Sequence, residues 1–439
     1  MTTGAISTTS FAAAMKKIYP QKRVELIFYK HHPLMAKMAK AEDFYGFDQG
    51  GTMAIAVQSG APSGGRSATF GNAQANISAG NDERFNISRK TDYQLWKLNN
   101  EVIEASSRDV GAIMRVLQNK GDAALLNLSR NLAAMLYGNG GGARGRGNNA
   151  APVGTTIVLA NPGDIVFFER DMVLVASDVD GSGTNGVIRG PGGGAAADTA
   201  LVTGVDRSAG SFTVNAIPAS WGNQDYYFQQ GDVSGLTTGA PGLPAAVTGN
   251  VVTGLAGWIP TTAPVAGVDN FFGLDRGVDP TRLAGSRFNG IGLPIEESLK
   301  RISTLIVRNG GRPDTVFLNP IDYERLELSL EGRARFETMT TQVGGKRSAT
   351  VGFDSMVITT TAGKANVFAD VNCPQGSGYM LQMDTWKFHH LKGCPHMITQ
   401  GAGAGGGRMV NDNDQVEFRS VYRGNLACTA PGYNGVVQL

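Results

Sequence analysis

Cysteine and charged residues are both scarce in this chain, and their scarcity excludes several classes of protein. Three cysteines among 439 residues, Cys373, Cys394 and Cys428, cannot form a disulfide framework and indicate reduced, buried thiols of a protein made in the cytoplasm. Charged residues make up 17% of the chain and the formal net charge is +2, so no strong field attracts it to free DNA or to an anionic membrane. The chain has no run of about 18 apolar residues, which excludes a membrane-spanning helix.

Glycine, in contrast, is abundant. It accounts for 60 of the 439 residues, about twice the usual share of ~7%. No three-residue glycine repeat occurs, which excludes collagen, and the hydrophobic content of 41% argues against global disorder. The length predicts two or three lobes, because one domain usually takes roughly 100–200 residues.

Sequence motifs for catalysis and nucleotide binding are incomplete. The stretch Asp178–Gly183 is similar to the start of a calcium loop, but Arg189 stands where that loop needs its bidentate glutamate. The glycine-rich stretches 138–147 and 401–407 lack the Gly-Lys-Ser/Thr of a phosphate-binding loop, and we expect both to be mobile or interface loops. No Gly-x-Ser-x-Gly elbow of a serine hydrolase occurs.

One cluster has metal-binding side chains at close spacing: His389, His390, Cys394 and His396. This spacing matches no common zinc pattern. We therefore predict no catalytic residue, no cofactor site and no metal site, and we do not expect the chain to be an enzyme.

The first 90 residues predict an arm followed by a hairpin. Up to position 40 the chain has seven Lys or Arg against one acid, interleaved with apolar residues. Either a solvated basic face beside a small core patch or an arm lying across a neighbouring subunit fits this pattern. Residues 49–90 predict a long β-hairpin, because apolar residues alternate with small or polar ones on the way out and on the way back. A two-stranded ribbon is marginal in water, so we expect the hairpin to need a partner.

The strongest helical pattern covers residues 106–137, where apolar residues recur at three- and four-residue spacing. Ser106 is predicted to cap this helix and Gly138 to end it in a left-handed conformation. The glycine-rich stretch 138–149, which contains Arg144 and Arg146, predicts a flexible joint at a domain boundary.

The remaining chain predicts a β-rich unit and then mixed α/β structure. Residues 154–235 predict a small inserted barrel or sandwich, with strand-like runs at 165–176, 201–205 and 212–217. Pro294 is predicted to open a helix, and Asn319 and Pro320 to cap and begin another after a strand at 315–318. Further strand-like runs cover 355–360, 379–383 and 415–422.

This order of parts resembles that of the major capsid proteins of tailed bacteriophages, the Hong Kong 97 fold. The most specific local match is the stretch Thr315 to Tyr323, TVFLNPIDY, which is similar to the strand, Asn-Pro turn and helix of that family's axial domain. The segment from Gln415 to Arg423, continuing through Ala430 and Pro431, is similar to the closing strand of the peripheral domain. The resemblance covers the whole chain as an order of elements.

The resemblance implies an α+β fold of the Hong Kong 97 type with an inserted small β-barrel or sandwich. Its implied divisions are an N-terminal arm at 1–48, an extended loop at 49–92 and a peripheral domain with a spine helix at 93–150. An axial domain follows at 151–375, including the β-rich insertion at 154–235, and residues 376–439 return to the peripheral domain.

The function implied by the resemblance is assembly. Subunits would form hexamers and pentamers of an icosahedral virion shell around double-stranded DNA, assembled in the cytoplasm of a host bacterium. The partners would be the chain itself, separate scaffolding, portal and decoration proteins, and DNA contacted non-specifically, with no membrane. The subunit-interface candidates lie in the arm and the hairpin: Lys16, Lys17, Arg23, Phe28, Met53, Ile55, Val57, Arg66, Arg84 and Phe85.

Two departures from family patterns modify these expectations. Some members cross-link through a lysine of the extended loop, but residues 41–89 contain no lysine, so we predict noncovalent stabilisation. Other members lose a long N-terminal scaffold segment to a protease. Because this chain begins at Met1, we expect a separate scaffolding protein instead.

Three alternatives remain open at the level of sequence. A bacterial nanocompartment shell has the same fold but encloses protein cargo. A cytosolic enzyme or ligand-binding protein would need convergent titratable residues, which the sequence does not indicate. A surface-layer or tail-tube protein is disfavoured by the long helix and the mixed lobes.

Overall fold

A computed structural model describes residues 5–6, 32–44, 51–60, 65–77, 81–101, 110–150, 154–183, 186–190, 197–235, 247–331, 340–343, 346–349, 356–398, 407–410 and 413–439. The described helices are α1 (Pro33–Lys37), α2 (Phe70–Ala75), α3 (Val110–Met135), α4 (Leu255–Trp258), α5 (Ile295–Arg308) and α6 (Pro320–Glu331). Short 3-10 helices cover Pro162–Phe167, Arg276–Val278, Met383–Thr385 and Pro431–Tyr433.

The described strands form three larger sheets and three two-stranded ribbons. In the first half of the chain they are β1 (Ala5–Ile6), β2 (Ala39–Ala41), β3 (Thr52–Gly60), β4 (Asn81–Ser88), β5 (Lys90–Asn99), β6 (Gly145–Arg146), β7 (Thr156–Val158), β8 (Val173–Ser177), β9 (Ala200–Asp206), β10 (Ser211–Val214), β11 (Tyr226–Gln229), β12 (Val233–Gly235) and β13 (Val247–Gly249). In the second half they are β14 (Ser286–Asn289), β15 (Thr315–Leu318), β16 (Thr340–Val343), β17 (Lys346–Ala349), β18 (Met356–Thr360), β19 (Gly363–Ala369), β20 (Ser377–Leu381), β21 (Trp386–His390), β22 (His396–Met397), β23 (Arg408–Val410), β24 (Asn413–Cys428) and β25 (Gly435–Gln438).

The first sheet joins segments from both halves of the chain. Its order is β1-β5-β24-β21-β2, with β22 and β23 paired along the rest of the long strand β24. Strand β24 runs antiparallel to β5, from Gln415 opposite Asn99 to Gly424 opposite Lys90. Helix α3, whose 26 residues span about 39 Å, packs on β5 and β24. The predicted long helix is therefore confirmed, although Ser106 lies outside the described residues.

The second sheet has the order β14-β25-β20-β15-β19-β18, and helices α5 and α6 pack on it. The predicted strand at 315–318, the cap at Asn319 and the helix from Pro320 are confirmed: the side chain of Asn319 accepts a hydrogen bond from the backbone N–H of Ile321 at 3.1 Å, and the helix ends one residue beyond the predicted Leu330. The predicted mixture of helix and sheet is confirmed as well. Within residues 376–439, strands β20 and β25 lie in this second sheet, whereas β21 to β24 lie in the first.

The third sheet, with order β6-β11-β8-β9-β10-β7, contains most strands of the region predicted as an insertion and has an apolar core of its own; it is called the inserted unit here. The predicted continuous strand at 165–176 is wrong. Pro162 begins a 3-10 helix capped by the side chain of Asn161, and the chain turns at Asp171, whose φ is 68°, before β8 begins. A residue at positive φ cannot continue an extended strand, so the pairing starts only beyond it.

The glycine-rich stretch 138–149 is packed rather than flexible, so that prediction is also wrong. A Cβ on Gly141 would lie 2.0 Å from the carbonyl oxygen of Asp180, and one on Gly147 would lie 2.1 Å from that of Asn223. Gly138 itself does not adopt a left-handed conformation; in this stretch the first glycine that does is Gly140, with φ of 89°. Glycine is needed here because other backbone segments approach too closely for a side chain.

The largest apolar core joins the hairpin β3–β4, helices α3 and α4, the first sheet and one side of the second. A separate core lies between the second sheet and helices α5 and α6. Among the described helices, none combines the length and the apolar character that crossing a membrane would require.

Candidate functional site

The hairpin β3–β4 is the first candidate functional feature, and it is anchored in its own chain. Met53, Ile55 and Val57 on the inward face are partly buried against the main core, and Ile55 pairs directly with Phe85. Phe85 is fully buried, with ring centroids 5.1 Å from Trp258 and 6.2 Å from Phe271. Its side chain is therefore not available to a neighbouring subunit in this conformation.

The hairpin carries exposed residues beyond this anchor. Arg84 and Arg66 are exposed, and both were predicted as interface candidates. Near the tip, where α2 lies between the two strands, Phe70 is 82% exposed and Ile77 is 75% exposed. The four candidates in the arm, Lys16, Lys17, Arg23 and Phe28, lie outside the described residues.

A buried polar cluster, here called the polar junction, connects α3, β5, the glycine-rich stretch and the inserted unit. The side chain of Arg144 is 3% exposed, and its Nη2 donates to Asp232 Oδ2 at 2.9 Å and to Gln229 Oε1 at 2.8 Å. The same nitrogen donates to Asn131 Oδ1 at 2.6 Å, and Asn131 Nδ2 donates in turn to Asp92 Oδ2 at 2.5 Å. These bonds join segments that extend from Asp92 on β5 to Asp232 next to β12.

Burial dominates the electrostatics of the polar junction. It raises the pKa of Asp92 and the pKa of Asp232, and the positive charge of Arg144 opposes both shifts. Arg144 Nε is buried without a hydrogen-bond partner. A neighbouring cavity of about 410 Å³ is lined by polar side chains of α3, β5 and the inserted unit. Arg130 on α3 and Glu169 both line this cavity and form an ion pair. Arg130 also donates a hydrogen bond to the carbonyl oxygen of Val166.

A second polar cluster holds the segment 32–44 against the body of the chain. The carboxylate of Asp370, which is 1% exposed, accepts hydrogen bonds from the backbone N–H of Leu34 at 3.3 Å and from the hydroxyl of Tyr137 at 3.0 Å. Further along, β2 pairs in parallel with β21, and Asp43 Oδ1 lies 2.6 Å from His389 Nδ1. The segment 32–44 is thus held at one end by the buried carboxylate of Asp370 and at the other by the contact of half-exposed Asp43 with His389.

The motifs considered for metal binding have structural roles in this fold. His389 is engaged by Asp43, and His396 Nδ1 lies 2.5 Å from the carbonyl oxygen of Gly393. Asp180 accepts hydrogen bonds from the backbone N–H and the hydroxyl of Ser182, as in an ordinary turn. Arg189 pairs with Asp225. Within the described ranges, no three metal-ligating side chains converge.

The cysteines are free, with Cys373 and Cys428 buried and Cys394 half-buried. Burial raises the pKa of Cys394 and of Cys428 to about 12. Since the thiolate is the reactive form, these two residues are unreactive near neutral pH.

The alternation of apolar residues predicted the hairpin, but no sequence pattern indicated either polar cluster. Their members are single residues separated by up to several hundred positions, and none belongs to a periodic pattern. The one available signal was Arg144 itself, a long charged side chain within a stretch of glycines.

Comparisons with known proteins show likeness in structure alone. No protein-family model matches the chain, and no curated protein matches its sequence. A chain of the cyanophage A-1(L) capsid asymmetric unit is 11% identical, with 99% of this chain and 98% of that chain covered and a TM-score of 0.48. A chain of Mycobacterium phage Ogopogo is 11% identical, with 97% and 98% covered and a TM-score of 0.40.

A chain of the holo-SrpI encapsulin complex from Synechococcus elongatus PCC 7942 is 7% identical, with 97% of this chain and 94% of that chain covered and a TM-score of 0.41. The matched structures are mostly from phages, the class that the sequence resemblance names. At these identities and TM-scores the matches assign no role to any residue of this chain.

Proposed function

We propose that this chain is the major capsid protein of a tailed bacteriophage. In this proposal it forms hexamers and pentamers of an icosahedral shell that encloses double-stranded DNA, and it resides in the virion after assembly in the bacterial cytoplasm. The support from sequence is the whole-chain order of elements and the stretch from Thr315 to Tyr323.

The observation that carries the proposal is the hairpin β3–β4. It is anchored by fully buried Phe85 and Ile87, yet near its tip Phe70 and Ile77 are more than two-thirds exposed. Large apolar side chains on a projecting ribbon indicate contact with something outside the fold. In a shell of identical subunits, that contact is a neighbouring copy, and pairing with a neighbour would also cover the open edges of the ribbon.

The domain divisions follow from the same proposal. Residues 1–48 would be the arm, 49–92 the extended loop, 93–150 and 376–439 the peripheral domain, and 151–375 the axial domain, with β20 and β25 of the last segment contributing to the sheet of the axial domain. We propose that the insertion at 154–235 closes into a small barrel. Hydrogen bonds from Asn148 N to Val158 O at 3.1 Å and from Ala160 N to Arg146 O at 2.8 Å, which bring the two outer strands together, support this closure.

The partners in this proposal are further copies of the chain, separate scaffolding, portal and decoration proteins, and DNA held non-specifically. Near-neutral charge suits a shell that encloses DNA without binding it tightly, because each phosphate contact adds salt-sensitive affinity. The absence of lysine from 41–89 supports noncovalent contacts between subunits. Intact-mass spectra of particles should therefore show unlinked chains, and a ladder of linked chains would contradict this point.

The test is to express the chain alone and with candidate scaffolding proteins, and to examine the product by sedimentation and electron microscopy. We expect closed icosahedral particles. A monodisperse 46.2 kDa monomer or small oligomer under every condition would contradict the proposal and favour an enzyme or ligand-binding protein. Particle contents separate the same-fold alternative, because nuclease-protected DNA indicates a virion shell and protein cargo indicates a nanocompartment.

A further inference from the structure

We propose that a cavity beside Asp164 binds a small apolar molecule that carries one ammonium group. The cavity has a volume of about 310 Å³ and is called the Asp164 cavity here. It lies where the end of α3, the glycine-rich stretch, the inserted unit and the loop after β19 meet. Small-molecule sites occur preferentially at junctions between such units. The site lies within one chain, so it does not depend on the proposed assembly.

Apolar surface predominates in the walls of the Asp164 cavity. Met135 at the end of α3 lines it, together with Phe167 and Tyr226 of the inserted unit. Met135 is 5% exposed, and Phe167 packs against the apolar core of the inserted unit, so these walls are fixed by burial. Walls of this kind favour hydrocarbon over water, and the modest volume restricts the ligand to a small molecule.

The carboxyl group of Asp164 stands in these walls without a counter-charge. Asp164 is half-buried, and its Oδ1 accepts a hydrogen bond from Asn161 Nδ2 at 2.9 Å. Among the described residues, none forms an ion pair with it or donates a hydrogen bond to its Oδ2. Burial raises the pKa of Asp164 to about 7, and the hydrogen bond from Asn161 opposes this shift. Because a desolvated carboxylate is costly without a cation, an ammonium group of a ligand would supply the missing charge.

The same carboxyl group is held in place before any ligand binds. Asn161 precedes the 3-10 helix that contains Asp164, and its side chain accepts a hydrogen bond from the backbone N–H of Gly163 at 3.2 Å. Ile165, the residue after Asp164, is 2% exposed in the core of the inserted unit. A charged group that is fixed in this way loses little conformational entropy when a ligand binds.

The other charged groups that line the cavity do not neutralise Asp164. Arg144 is held within the polar junction, and Arg146 is exposed, so that solvent screens its charge. Neither arginine is a cause of the shifted pKa of Asp164. Asp180 is a second carboxyl group of the wall and accepts a hydrogen bond from Asn139 Nδ2 at 2.6 Å. A positively charged ligand therefore fits this wall better than a negatively charged one, which would meet two carboxyl groups.

The direct test is calorimetric titration of the unassembled, full-length chain with cyclohexylamine and with cyclohexanol at about pH 8, where the amine carries a charge. The two probes have the same ring, and the alcohol is uncharged. We expect the amine to bind at least about tenfold more tightly than the alcohol, because only the ammonium group pairs with Asp164. Equal binding of the two probes, or binding of neither, would overturn the proposal.

A variant separates the contribution of the carboxyl group from that of the apolar walls. Asp164→Asn keeps the shape of the side chain and removes its charge, so it should reduce the affinity for cyclohexylamine to that for cyclohexanol. Asp384→Asn changes an exposed carboxyl group outside the cavity and is the matched control, which should bind the amine as wild type does. Amine binding by Asp164→Asn at the wild-type level would contradict the role of Asp164 and overturn the proposal.

The pH dependence of wild-type binding tests the same carboxyl group without a mutation. Cyclohexylamine stays charged below neutral pH, as a lysine side chain does, whereas Asp164 must release a proton to bind it below the pKa of about 7. The affinity for the amine should therefore fall on the order of 100-fold from about pH 8 to about pH 5, while the affinity for cyclohexanol should change little. An amine affinity that is the same at both pH values would also overturn the proposal.

Discussion

Replacing Arg144 by methionine is the sharpest test of how the inserted unit is attached. Methionine retains much of the apolar stem and removes the guanidinium that faces Asp232, Gln229 and Asn131. The Arg144 side chain is 3% exposed and that of Asp232 is 12% exposed, so little solvent can replace the lost partner. Removing one partner of a buried ion pair typically lowers the free energy of unfolding by about 3–5 kcal/mol, and we expect Arg144→Met to lower it by an amount in that range.

The loss should depend on pH. Burial raises the folded-state pKa of Asp92 and of Asp232 above the unfolded-state pKa of each residue. Each carboxyl therefore destabilises the fold as pH rises from its unfolded-state pKa to its folded-state pKa. Arg144 opposes these shifts, so its removal raises both folded-state pKa values further. The stability deficit of the variant should therefore be larger at about pH 8 than at about pH 5, because a smaller fraction of the two carboxyls is ionised as pH falls.

Urea unfolding of the unassembled subunit, followed by tryptophan fluorescence and by hydrogen exchange of the β11 amides, measures the effect. Arg146→Met is the matched control, since Arg146 is exposed and donates to Gln224 in the same stretch. The control should lose less than about 1 kcal/mol. Arg144→Met that loses no more than this control, or whose deficit is the same at both pH values, would refute the structural reasoning.

Three further changes test other parts of the structure. Phe85→Ala should destabilise the free subunit by about 3–5 kcal/mol in thermal or urea unfolding, whereas Arg84→Ala should cost little; equal effects would show that the hairpin is not anchored in its own chain. Gly141→Ala should lower the soluble yield and the melting temperature, because its Cβ would meet a carbonyl oxygen at 2.0 Å, while Gly183→Ala has open space and should not; similar behaviour of the two would contradict the packed connection. Burial raises the pKa of Asp164 to about 7, so the wild-type melting temperature should fall between about pH 4 and pH 7 as this carboxyl ionises. Asp164→Asn should make the melting temperature depend less on pH in this interval. An unchanged dependence would contradict the raised pKa of Asp164.

Local patterns predicted a large part of the fold. The apolar stripe of α3, the alternation of β3 and β4 and the Asn319-Pro320 helix start all depend on residues within a few positions of one another, and each agrees with the structure. The wrong predictions concern places where backbone segments that are distant in sequence determine the local structure. In a sequence, glycines such as those near position 141 are typical of flexible linkers. In this fold, glycine is required there because the backbone at Asp180 approaches too closely for a side chain.

The candidate site was predictable only in part for the same reason. Alternation identified the hairpin, but it could not show whether Phe85 faces its own core or a neighbour, since Trp258 and Phe271 come from a segment more than 170 residues away. Val265, Val268 and Val278 lack a periodic pattern, and only their exposure in the fold distinguishes them. Arg144 was distinguished only as a charged side chain within a stretch of glycines, and Asp370 gave no signal that it would have buried partners.

The hairpin and the inserted unit are attached to the rest of the chain in different ways. The hairpin is anchored by apolar burial at Phe85 and by hydrogen bonds at its base, from Asn86 N to Phe272 O and from Asn425 Nδ2 to Ser88 O. The inserted unit is joined to α3 through the side-chain hydrogen bonds of Arg144 and Arg130, which weaken steeply when their geometry changes. The inserted unit and α3 should therefore move as one body. In the proposed shell, only the part of the hairpin beyond its base would adjust to a neighbouring copy.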